Sequence, residues 1–335
     1  MKCLVTGGGG FLGLAIVRLL RARGDQVVSY SRSRHEAVER LGARCEAGDV
    51  ADARALGRSM RGVDCVFHVA AKAGVFGPWS EYAHSNVIGT TAVVAAAVAA
   101  KVPRLVFTSS PSVCFDGQDH VGAGNDLPYA TRFLAHYPRS KMLAEKHVLS
   151  WNGRGIATTA LRPHLIVGPG DPHLLTRVAD RARRGKLVVV GDGRNQVSLT
   201  DVENAAWAHL DAAEALNPGA PHAGRAYFVA QGEPVALWPW IRQVLEASGL
   251  PGPRGRVPLA VARLAGTACE GWWFLSKRSG EPPMTRFVAL QLARSHTYDM
   301  EPARRDFGYR ERVSTADMTA RATAWLGTEV AARRI

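Results

Sequence analysis

Short apolar runs rich in β-branched residues alternate with helical stretches through the first half of the chain. Because continuous apolar runs of this length are typical of strands buried on both faces, the alternation predicts βαβ units around a parallel sheet. Right-handed crossovers then place the carboxyl ends of the strands along one edge, where ligands bind in such folds. The runs lie at residues 4–5, 26–29, 64–69, 104–107 and 156–161.

Glycines mark the turn after the first run. Gly7, Gly10 and Gly13 satisfy a G-x-x-G-x-x-G spacing, with Phe11 and Leu12 before the last glycine, and a helical pattern follows at once. Such glycines allow a tight turn and let backbone N–H groups approach a pyrophosphate at the helix N-terminus. The strand-turn-helix context predicts a dinucleotide site and a Rossmann-type, doubly wound α/β fold.

The end of the second strand indicates which dinucleotide is bound. An NAD enzyme would place a carboxylate here against the ribose hydroxyls, whereas this chain has Ser31 and Arg32. Arg32 favours a 2′-phosphate, and the sequence therefore predicts NADPH/NADP as the cofactor. The alternative is that Arg32 is an ordinary surface arginine.

Residues after the third and fourth strands complete the predicted dinucleotide site. We expect Asp49 and Val50 to meet the adenine, and Ala70 and Ala71 to flank the ribose and pyrophosphate. His68, at the end of the fourth strand, is expected to be a positioned structural element rather than a catalyst.

The candidate catalytic residues are Tyr137 and Lys141, which share one helix face at i,i+4 spacing. Pro138 disfavours helical geometry for the residue before it, so Tyr137 should stand at the very start of its helix. We expect the Lys141 charge, with that of the nicotinamide, to favour the phenolate form of Tyr137. Ser110, at the end of the fifth strand, would hydrogen-bond a carbonyl oxygen as negative charge develops on it.

The alternation weakens beyond residue 165, where loops rich in glycine and proline separate helices, with isolated strands predicted at 187–190 and 226–229. This pattern predicts a smaller, interleaved C-terminal substrate lobe. The predicted division is a dinucleotide-binding domain at 1–164, to which a segment at about 194–225 returns, and a substrate lobe at 165–193 and 226–335. Bulky aromatic residues of this lobe are expected to fill its core: Trp238, Trp240, Trp272, Trp273, Phe274 and Phe287.

Composition and charge exclude several classes of protein. With 47% hydrophobic and 21% charged residues, the 335-residue chain is an ordinary globular sequence rather than a disordered one. The net charge of +13 is scattered along the chain. The basic run from Arg181 to Lys186 has no interleaved aromatic residues, so we interpret it as the solvated end of a helix and expect no nucleic-acid partner.

Cysteine usage and hydropathy indicate where the protein works. The five cysteines are odd in number and form no CxxC motif, so we expect a cytoplasmic protein without disulfides or a metal site. We expect no signal peptide, because the first strand pattern begins at residue 3. The apolar stretches at 92–100 and 259–275 are too short, or are interrupted by Arg263 and Glu270, for a membrane span of about 20 residues. A peripheral contact of the second stretch stays open.

These motifs resemble the extended short-chain dehydrogenase/reductase superfamily over nearly the whole chain. The resemblance implies that Tyr137 is the proton donor, that Lys141 binds the ribose and tunes the tyrosine, and that Ser110 clamps the carbonyl. It also implies that the segment from Pro163 to Ile166 lies beside the nicotinamide. The motifs occur in the order of the superfamily: Thr6-Gly-x-x-Gly-x-x-Gly13, Asp49, His68-x-Ala-Ala71, Asn86-x-x-Gly-Thr90, Thr108-Ser-Ser110, Tyr137-x-x-x-Lys141 and Leu161-Arg-Pro163.

Two narrower resemblances suggest a substrate. Residues 280–287 and 301–309 look like the 3β-hydroxysteroid dehydrogenase-like branch. Residues 6–13, 71–74 and 280–287 are also similar to the 2-alkyl-3-oxoalkanoate reductases of bacterial long-chain olefin biosynthesis. That similarity implies NADPH-dependent reduction of the 3-keto group of a long-chain acyl substrate to the 2-alkyl-3-hydroxyalkanoate.

The same resemblance implies partners, and other functions stay open. The implied partners are a second copy in a homodimer and the other enzymes of the pathway, namely a thiolase-like condensing enzyme, a β-lactone synthetase and a β-lactone decarboxylase. The nearest alternative function is a 3β-hydroxysteroid or sterol dehydrogenase. A redox-sensing NADP-binding protein without catalysis is more remote, because such proteins typically lack the pair of Tyr137 and Lys141. Sugar-nucleotide epimerases retain NAD, against which Arg32 argues.

Overall fold

A seven-stranded parallel sheet forms the centre of the molecule, in the order β12-β7-β5-β4-β1-β2-β3. The computed structural model describes residues 1–332 and 334. Three smaller sheets pair β13-β10-β15-β6, β11-β8 and β14-β9. The strands are β1 Lys2–Thr6, β2 Gln26–Ser31, β3 Arg44–Ala47, β4 Cys65–His68, β5 Arg104–Thr108, β6 His120–Ala123, β7 Ala157–Pro163, β8 Ile166–Val167, β9 Val189–Val190, β10 Gln196–Val197, β11 Thr200–Asp201, β12 Ala226–Val229, β13 Val235–Ala236, β14 Arg256–Val257 and β15 His296–Tyr298.

Helices cover both faces of the large sheet. Pairs of helices pack together, α1 with α8 on one face and α5 with α3 and α6 on the other. The helices are α1 Phe11–Ala22, α2 Glu36–Arg40, α3 Ala53–Ser59, α4 Trp79–Tyr82, α5 Gly89–Ala99, α6 His136–Ser150, α7 Leu174–Arg183, α8 Val202–Ala215, α9 Leu237–Ala247, α10 Leu259–Leu275, α11 Arg286–Ala293, α12 Glu301–Phe307 and α13 Thr315–Ala331, with a π-helical turn at Ala83–Ile88 and a 3₁₀ turn at Pro111–Cys114. The predicted Rossmann-type α/β fold is confirmed.

The strand order explains where a ligand can bind. From β1 the chain first builds outward through β2 and β3, and then continues on the other side of β1 with β4 and β5. The connections therefore diverge between β1 and β4, and leave a crevice at the carboxyl ends of these two strands. Thr6 and His68 end the two strands side by side in parallel register.

A second hydrophobic core lies in the C-terminal half of the chain. It joins α7, α9 and α13, with Trp238 and Trp240 buried in it as predicted. Phe287 is also buried and packs edge-on against Phe115 at 5.8 Å between ring centroids. The prediction that the aromatic residues fill the core is wrong for Trp272 and Phe274, which are 58% and 79% exposed on α10.

One strand and one helix of the predicted substrate lobe belong to the large sheet instead. Strand β12 pairs in parallel with β7 as the outermost strand, and α12 packs against it. The tyrosine ring of Tyr298 stacks on Phe228 at 4.2 Å, within the core of the large sheet. The boundary predicted at residue 226 therefore separates β12 from the sheet that it completes, and the rest of the division stays a prediction.

Candidate active site

The glycine turn between β1 and α1 brings a helix N-terminus to the crevice. Gly7 adopts φ +70°, which favours glycine, and its N–H donates to the Tyr30 carbonyl at 2.8 Å. A Cβ at Gly13 would lie 2.1 Å from the Gly7 carbonyl oxygen, so only glycine lets the helix approach the strand this closely. Gly10 precedes the helix, which opens with Phe11 and Leu12. The N–H groups of this first turn are available to an anion, as a pyrophosphate site requires.

At the end of β2, the structure places a buried hydroxyl beside an exposed cation. Ser31 is buried, and its Oγ has no hydrogen-bond partner among the described residues. Arg32 is exposed and forms no ion pair within residues 1–332 and 334. An unpartnered hydroxyl next to an unpaired guanidinium fits a phosphate group.

His35 was missed by the sequence analysis. A Cβ at Gly9 would meet the His35 ring at 2.1 Å, so this imidazole lies over the glycine turn, three residues beyond Arg32. Only its position in the loop after β2 could have indicated it, because nothing local distinguishes His35 from a solvent-exposed histidine.

Asp49 and Val50 lie at the same edge of the sheet, after β3. The Asp49 carboxylate accepts the Ala51 N–H at 2.9 Å and lies 2.8 Å from His84 Nε2, and these contacts lower its pKa, the Ala51 N–H most of all. Val50 packs against Gly89, where a Cβ would come within 2.7 Å of it. These residues form one wall of the crevice, as an adenine pocket requires.

The segment after β4 closes the crevice from the other side. Ala70 lies against the glycine turn, where a Cβ on Gly7 would meet its Cα at 2.9 Å, and Ala71 is exposed. His68 is fully buried between the hydroxyls of Thr6 at 2.7 Å and Thr90 at 2.9 Å. Burial lowers the His68 pKa to about 3. The imidazole is therefore neutral, and it joins the hydroxyls of Thr6 on β1 and Thr90 on α5.

Helix α6 positions the candidate proton donor. It begins at His136, so Tyr137 lies in its first turn, as Pro138 predicts. Pro138 is the third residue of the helix, where a missing N–H costs no hydrogen bond. One turn later, Lys141 lies on the same helix face.

Lys141 is only 2% exposed. Its Nζ donates to the Thr108 carbonyl at 2.5 Å and lies 4.1 Å from the centroid of the Phe107 ring. Desolvation lowers the Lys141 pKa to about 7, although the Glu145 charge one turn further along α6 opposes this shift. The ammonium is thus held at the end of β5, close to Ser110, which follows this strand.

Tyr137 is half-buried, and its surroundings favour the phenol over the phenolate. Desolvation raises the Tyr137 pKa, and the Ser110 hydroxyl, acting as its hydrogen-bond partner, counteracts part of the rise. The Lys141 ammonium donates to the Thr108 carbonyl, and its expected effect on the phenolate, together with the charge of the nicotinamide, stays a prediction. A protonated phenol is the form that can donate a proton.

Ser110 lies beside a second hydroxyl that the sequence analysis missed. Its Oγ is 2.9 Å from the Oγ of Ser112 and accepts the N–H of the same residue at 3.3 Å, because Ser110 caps the 3₁₀ turn that follows. Ser110, Tyr137 and Lys141 therefore gather at the carboxyl end of β5. Two hydroxyls and a phenol can together donate to one oxygen atom.

Asn86 connects the cofactor wall to the catalytic helix and was also missed as a site residue. Its side chain accepts the Lys72 N–H at 2.7 Å and donates to the Lys72 carbonyl at 3.0 Å and to the Ser140 hydroxyl at 2.8 Å. Ser140 in turn donates to the Tyr137 carbonyl at 2.8 Å. Asn86 lies in the π-helical turn Ala83–Ile88, which aligns its side chain with both Lys72 and Ser140. Such turns are frequent at functional sites. The motif Asn86-x-x-Gly-Thr90 was the sequence signal that could have identified it as a site residue.

Pro163 and Ile166 lie where the chain leaves the sheet. Strand β7 ends at Pro163, Leu165 adopts φ +38°, and Ile166 starts β8 by pairing with Thr200. The Thr200 hydroxyl donates to the His164 carbonyl at 2.5 Å and holds this bend. Because β7 adjoins β5, the bend adjoins the strand end that carries Ser110.

A buried ion pair supports the catalytic helix from behind. The Arg162 guanidinium donates to Glu145 at 2.6 and 3.1 Å, and Tyr129 donates its hydroxyl to the same carboxylate at 2.7 Å. Arg162 is 3% exposed and Glu145 is fully buried. The pair links α6 to β7 through a contact that is costly to break.

Comparison with known proteins identifies the family of the chain. Residues 4–260 match the model of the 3-beta hydroxysteroid dehydrogenase/isomerase family. The chain is 48% identical over 316 residues to a protein of Stenotrophomonas maltophilia named 2-alkyl-3-oxoalkanoate reductase, with 94% of this chain and 96% of that protein covered. It is 43% identical over 330 residues to a protein of the same name from Shewanella oneidensis, covering 96% and 85% of the two chains.

A solved structure shows the same architecture. The crystal structure of gox2253 is 25% identical to this chain and superposes with a TM-score of 0.77, covering 98% of each chain. The family match spans the glycine turn and the segment that carries Ser110, Tyr137 and Lys141. The chain therefore belongs to the 3-beta hydroxysteroid dehydrogenase/isomerase family and is an oxidoreductase.

Proposed function

We propose that this protein reduces the 3-keto group of a long-chain 2-alkyl-3-oxoalkanoate to the 2-alkyl-3-hydroxyalkanoate with NADPH. The observation that carries the reaction type is the meeting of Ser110, Tyr137 and Lys141 at the end of β5, beside the glycine turn. The substrate class rests on the names of the two relatives from Stenotrophomonas maltophilia and Shewanella oneidensis.

The chain's own residues supply a proton and hold an oxyanion. When bound, NADPH supplies the hydride that the keto carbon accepts. Tyr137 donates its phenolic proton to the carbonyl oxygen, and the hydroxyls of Ser110 and Ser112 hydrogen-bond that oxygen as its charge grows. Burial favours the protonated phenol, which suits reduction rather than oxidation at neutral pH. Lys141 holds a positive charge next to the phenolate that remains.

In this proposal, residues at the end of β2 and in the loop that follows select NADPH over NADH. The unpartnered hydroxyl of Ser31 and the unpaired guanidinium of Arg32 support a 2′-phosphate, and His35 over the glycine turn adds a third donor. These groups favour NADPH over NADH. Asp49, Val50, Ala70 and Ala71 would enclose the adenine and the pyrophosphate.

We also propose the setting of this reaction. A 2-alkyl-3-hydroxy acid has the hydroxyl and carboxylate that β-lactone formation requires, which supports a place in cytoplasmic long-chain olefin biosynthesis. We further propose a homodimer that assembles with the condensing enzyme, the β-lactone synthetase and the β-lactone decarboxylase of that route.

The test offers the purified protein a racemic 2-alkyl-3-hydroxy fatty acid or a 3β-hydroxysteroid, each with NADP⁺ or NAD⁺, and follows nicotinamide absorbance. We expect turnover of the hydroxy acid with NADP⁺. Steroid turnover without fatty-acid turnover would replace the proposal with a steroid dehydrogenase. Cofactor binding without turnover of either substrate would favour a redox sensor.

A further inference from the structure

Helix α8 carries a histidine whose side chain reaches the end of β5. The helix packs against the large sheet, and none of the described helices is long and apolar enough to cross a membrane. His209 is fully buried, and its Nε2 lies 2.8 Å from the Oγ1 of Thr108, the last residue of β5. Its Nδ1 lies 2.7 Å from the carbonyl oxygen of Ala205, one turn earlier on α8. One imidazole therefore joins this helix to the strand end beside the candidate active site.

The carbonyl partner determines the direction of both hydrogen bonds of His209. A carbonyl oxygen only accepts, so Nδ1 carries a proton and donates it to Ala205. In a neutral imidazole the other nitrogen, Nε2, is then an acceptor, and the Thr108 hydroxyl donates to it. Burial keeps the imidazole neutral, because desolvation lowers the His209 pKa to about 4. The hydroxyl of Thr108 therefore has one fixed orientation.

Thr108 also holds the Lys141 ammonium, through its backbone. The Lys141 Nζ donates to the Thr108 carbonyl at 2.5 Å, just beyond Phe107, where the pairing of β5 with β4 ends. A β-branched side chain has few rotamers, so a hydroxyl fixed on α8 also restricts the backbone that bears this carbonyl. His209 and Lys141 are thus connected through two groups of one residue.

The position of the Lys141 charge depends on this strand end. The Nζ contacts the Thr108 carbonyl and the Phe107 ring, which both belong to β5. Lys141 forms no ion pair within residues 1–332 and 334, and the Glu145 carboxylate one turn along α6 pairs with Arg162 instead. A displacement of the end of β5 would therefore displace the ammonium, because no carboxylate holds it.

We propose that His209 is a positioning residue of the active site, which fixes the end of β5 so that Lys141 and Ser110 stand in place beside Tyr137. It acts through Thr108, two residues before Ser110 in the same segment. The role rests on the proposed function, because it belongs to the same site, but its first test requires no turnover.

Another buried histidine provides a matched control. His222 is also fully buried and bonded to a carbonyl of α8, with its Nε2 2.9 Å from the Ala212 oxygen. Desolvation lowers its pKa as it does that of His209. Its ring packs beside Phe307 at 5.4 Å between centroids, and the Nδ1 has no hydrogen-bond partner among the described residues. His222 thus shares the burial and the helix contact of His209 but has no bond to β5.

The first experiment measures the protonation of Lys141 by NMR, in the full protein with carbon-13-labelled lysine and without substrate or cofactor. The Thr108 carbonyl favours the charged ammonium by accepting from it. His209→Leu should weaken this contact and move the titration midpoint of Lys141 to lower pH. Thr108→Val removes the same hydroxyl and should give the same shift, whereas His222→Leu should titrate like the wild type. The other titratable groups around Lys141 are unchanged in these variants: Tyr137 and Glu145 on α6, and His68 on β4.

The second experiment measures kcat and KM for the 2-alkyl-3-hydroxy acid with NADP⁺. In His209→Leu we expect kcat near neutral pH to fall by about tenfold or more, the order of one hydrogen bond to a charged group, with KM close to that of the wild type. The double variant Thr108→Val/His209→Leu should be no slower than either single variant, because all three lose one hydrogen bond.

Three results would overturn the positioning role. The Lys141 midpoint would be the same in His209→Leu and the wild type, or it would shift equally in His222→Leu, which would assign the effect to a general loss of packing. Alternatively, the losses of the two single variants would add in the double variant. Thr108→Val carries the test by itself if the leucine variant does not fold. A shifted midpoint in a protein whose wild type turns over no hydroxy acid would support the positioning of Lys141 and contradict the reductase.

Discussion

The Tyr137 phenol and the Lys141 ammonium lie on one helix face, yet burial affects their protonation in opposite ways. It raises the pKa of Tyr137, so this group keeps its proton, and lowers the pKa of Lys141 to about 7. The lysine does not rely on an ion pair for its position, because its Nζ is held by the Thr108 carbonyl and the Phe107 ring. Each group is thus adjusted by its surroundings more than by the other.

Replacement of Tyr137 by phenylalanine should lower kcat/KM for the hydroxy acid by about 10²- to 10⁴-fold, because the group that exchanges a proton with the substrate oxygen in either direction is lost. NADPH binding, measured by fluorescence titration, should stay near that of the wild type. Tyr309→Phe is the matched control, since it removes a buried hydroxyl that donates to the Ala230 carbonyl at 2.9 Å and lies outside the site. Near-normal turnover by the Tyr137 variant would remove it as the proton donor.

Arg32→Asp should shift cofactor preference from NADPH toward NADH, because a carboxylate repels the 2′-phosphate and can accept from a ribose hydroxyl. The measurement is kcat/KM with each cofactor at fixed substrate. Arg34→Asp serves as control, because this exposed neighbour pairs with Glu39 instead. Equal cofactor ratios in the Arg32 variant and the wild type would show that the 2′-phosphate is bound elsewhere.

At the level of the element, α6 carries its candidate catalytic residues and its anchor to the sheet on one stripe. Tyr137, Lys141 and Glu145 recur every four residues, and Glu145 joins the helix to Arg162 on β7. Glu145 is the neighbouring charge that raises the Lys141 pKa against the effect of burial. The ion pair therefore positions the helix and helps to keep the lysine protonated.

Removal of the Glu145 charge should narrow the pH range of activity. A lysine loses its proton as pH rises through its pKa, so a lower Lys141 pKa moves the alkaline limb of the kcat profile to lower pH. Because Glu145→Gln leaves Arg162 buried without its partner, that single variant should also unfold more easily, by about 3–5 kcal/mol. The double variant Glu145→Gln/Arg162→Met removes both charges and tests the profile in a protein without the unpaired cation. An unchanged alkaline limb in the double variant would contradict this role for Glu145.

Elements built from local pattern were predictable, and those that depend on distant partners were not. The apolar runs identified β1 and β5 because buried parallel strands are apolar on both faces. Nothing in the sequence shows that β12 pairs with β7, since register between distant strands is not written in either one. Asn86 was missed for the same reason, because its partners Lys72 and Ser140 lie in other segments of the chain. Ser112 was missed because only the folded 3₁₀ turn brings its hydroxyl next to that of Ser110.

For the whole molecule, buried neutral histidines tie stability to pH. Burial lowers the pKa of His68 to about 3 and those of His164 and His209 to about 4, and it lowers that of His296 well below 6.5. In the unfolded chain these groups take up protons near pH 6.5. Below that pH the unfolded state binds more protons than the folded state, so stability is present above pH 6.5 and is lost as pH falls toward 4.

The free energy of unfolding, measured by urea titration, should therefore decline steeply between pH 6.5 and 5, with each such histidine contributing about 1.4 kcal/mol per pH unit. Two buried carboxyl groups, Asp171 and Asp201, have raised pKa values, and their protonation opposes the decline only at the acidic end. His209→Gln should flatten the slope, because it removes one of the buried histidines. A free energy of unfolding that stays constant from pH 7 to 5 would mean that these histidines become solvated and take up protons in the folded protein at the same pH as in the unfolded chain.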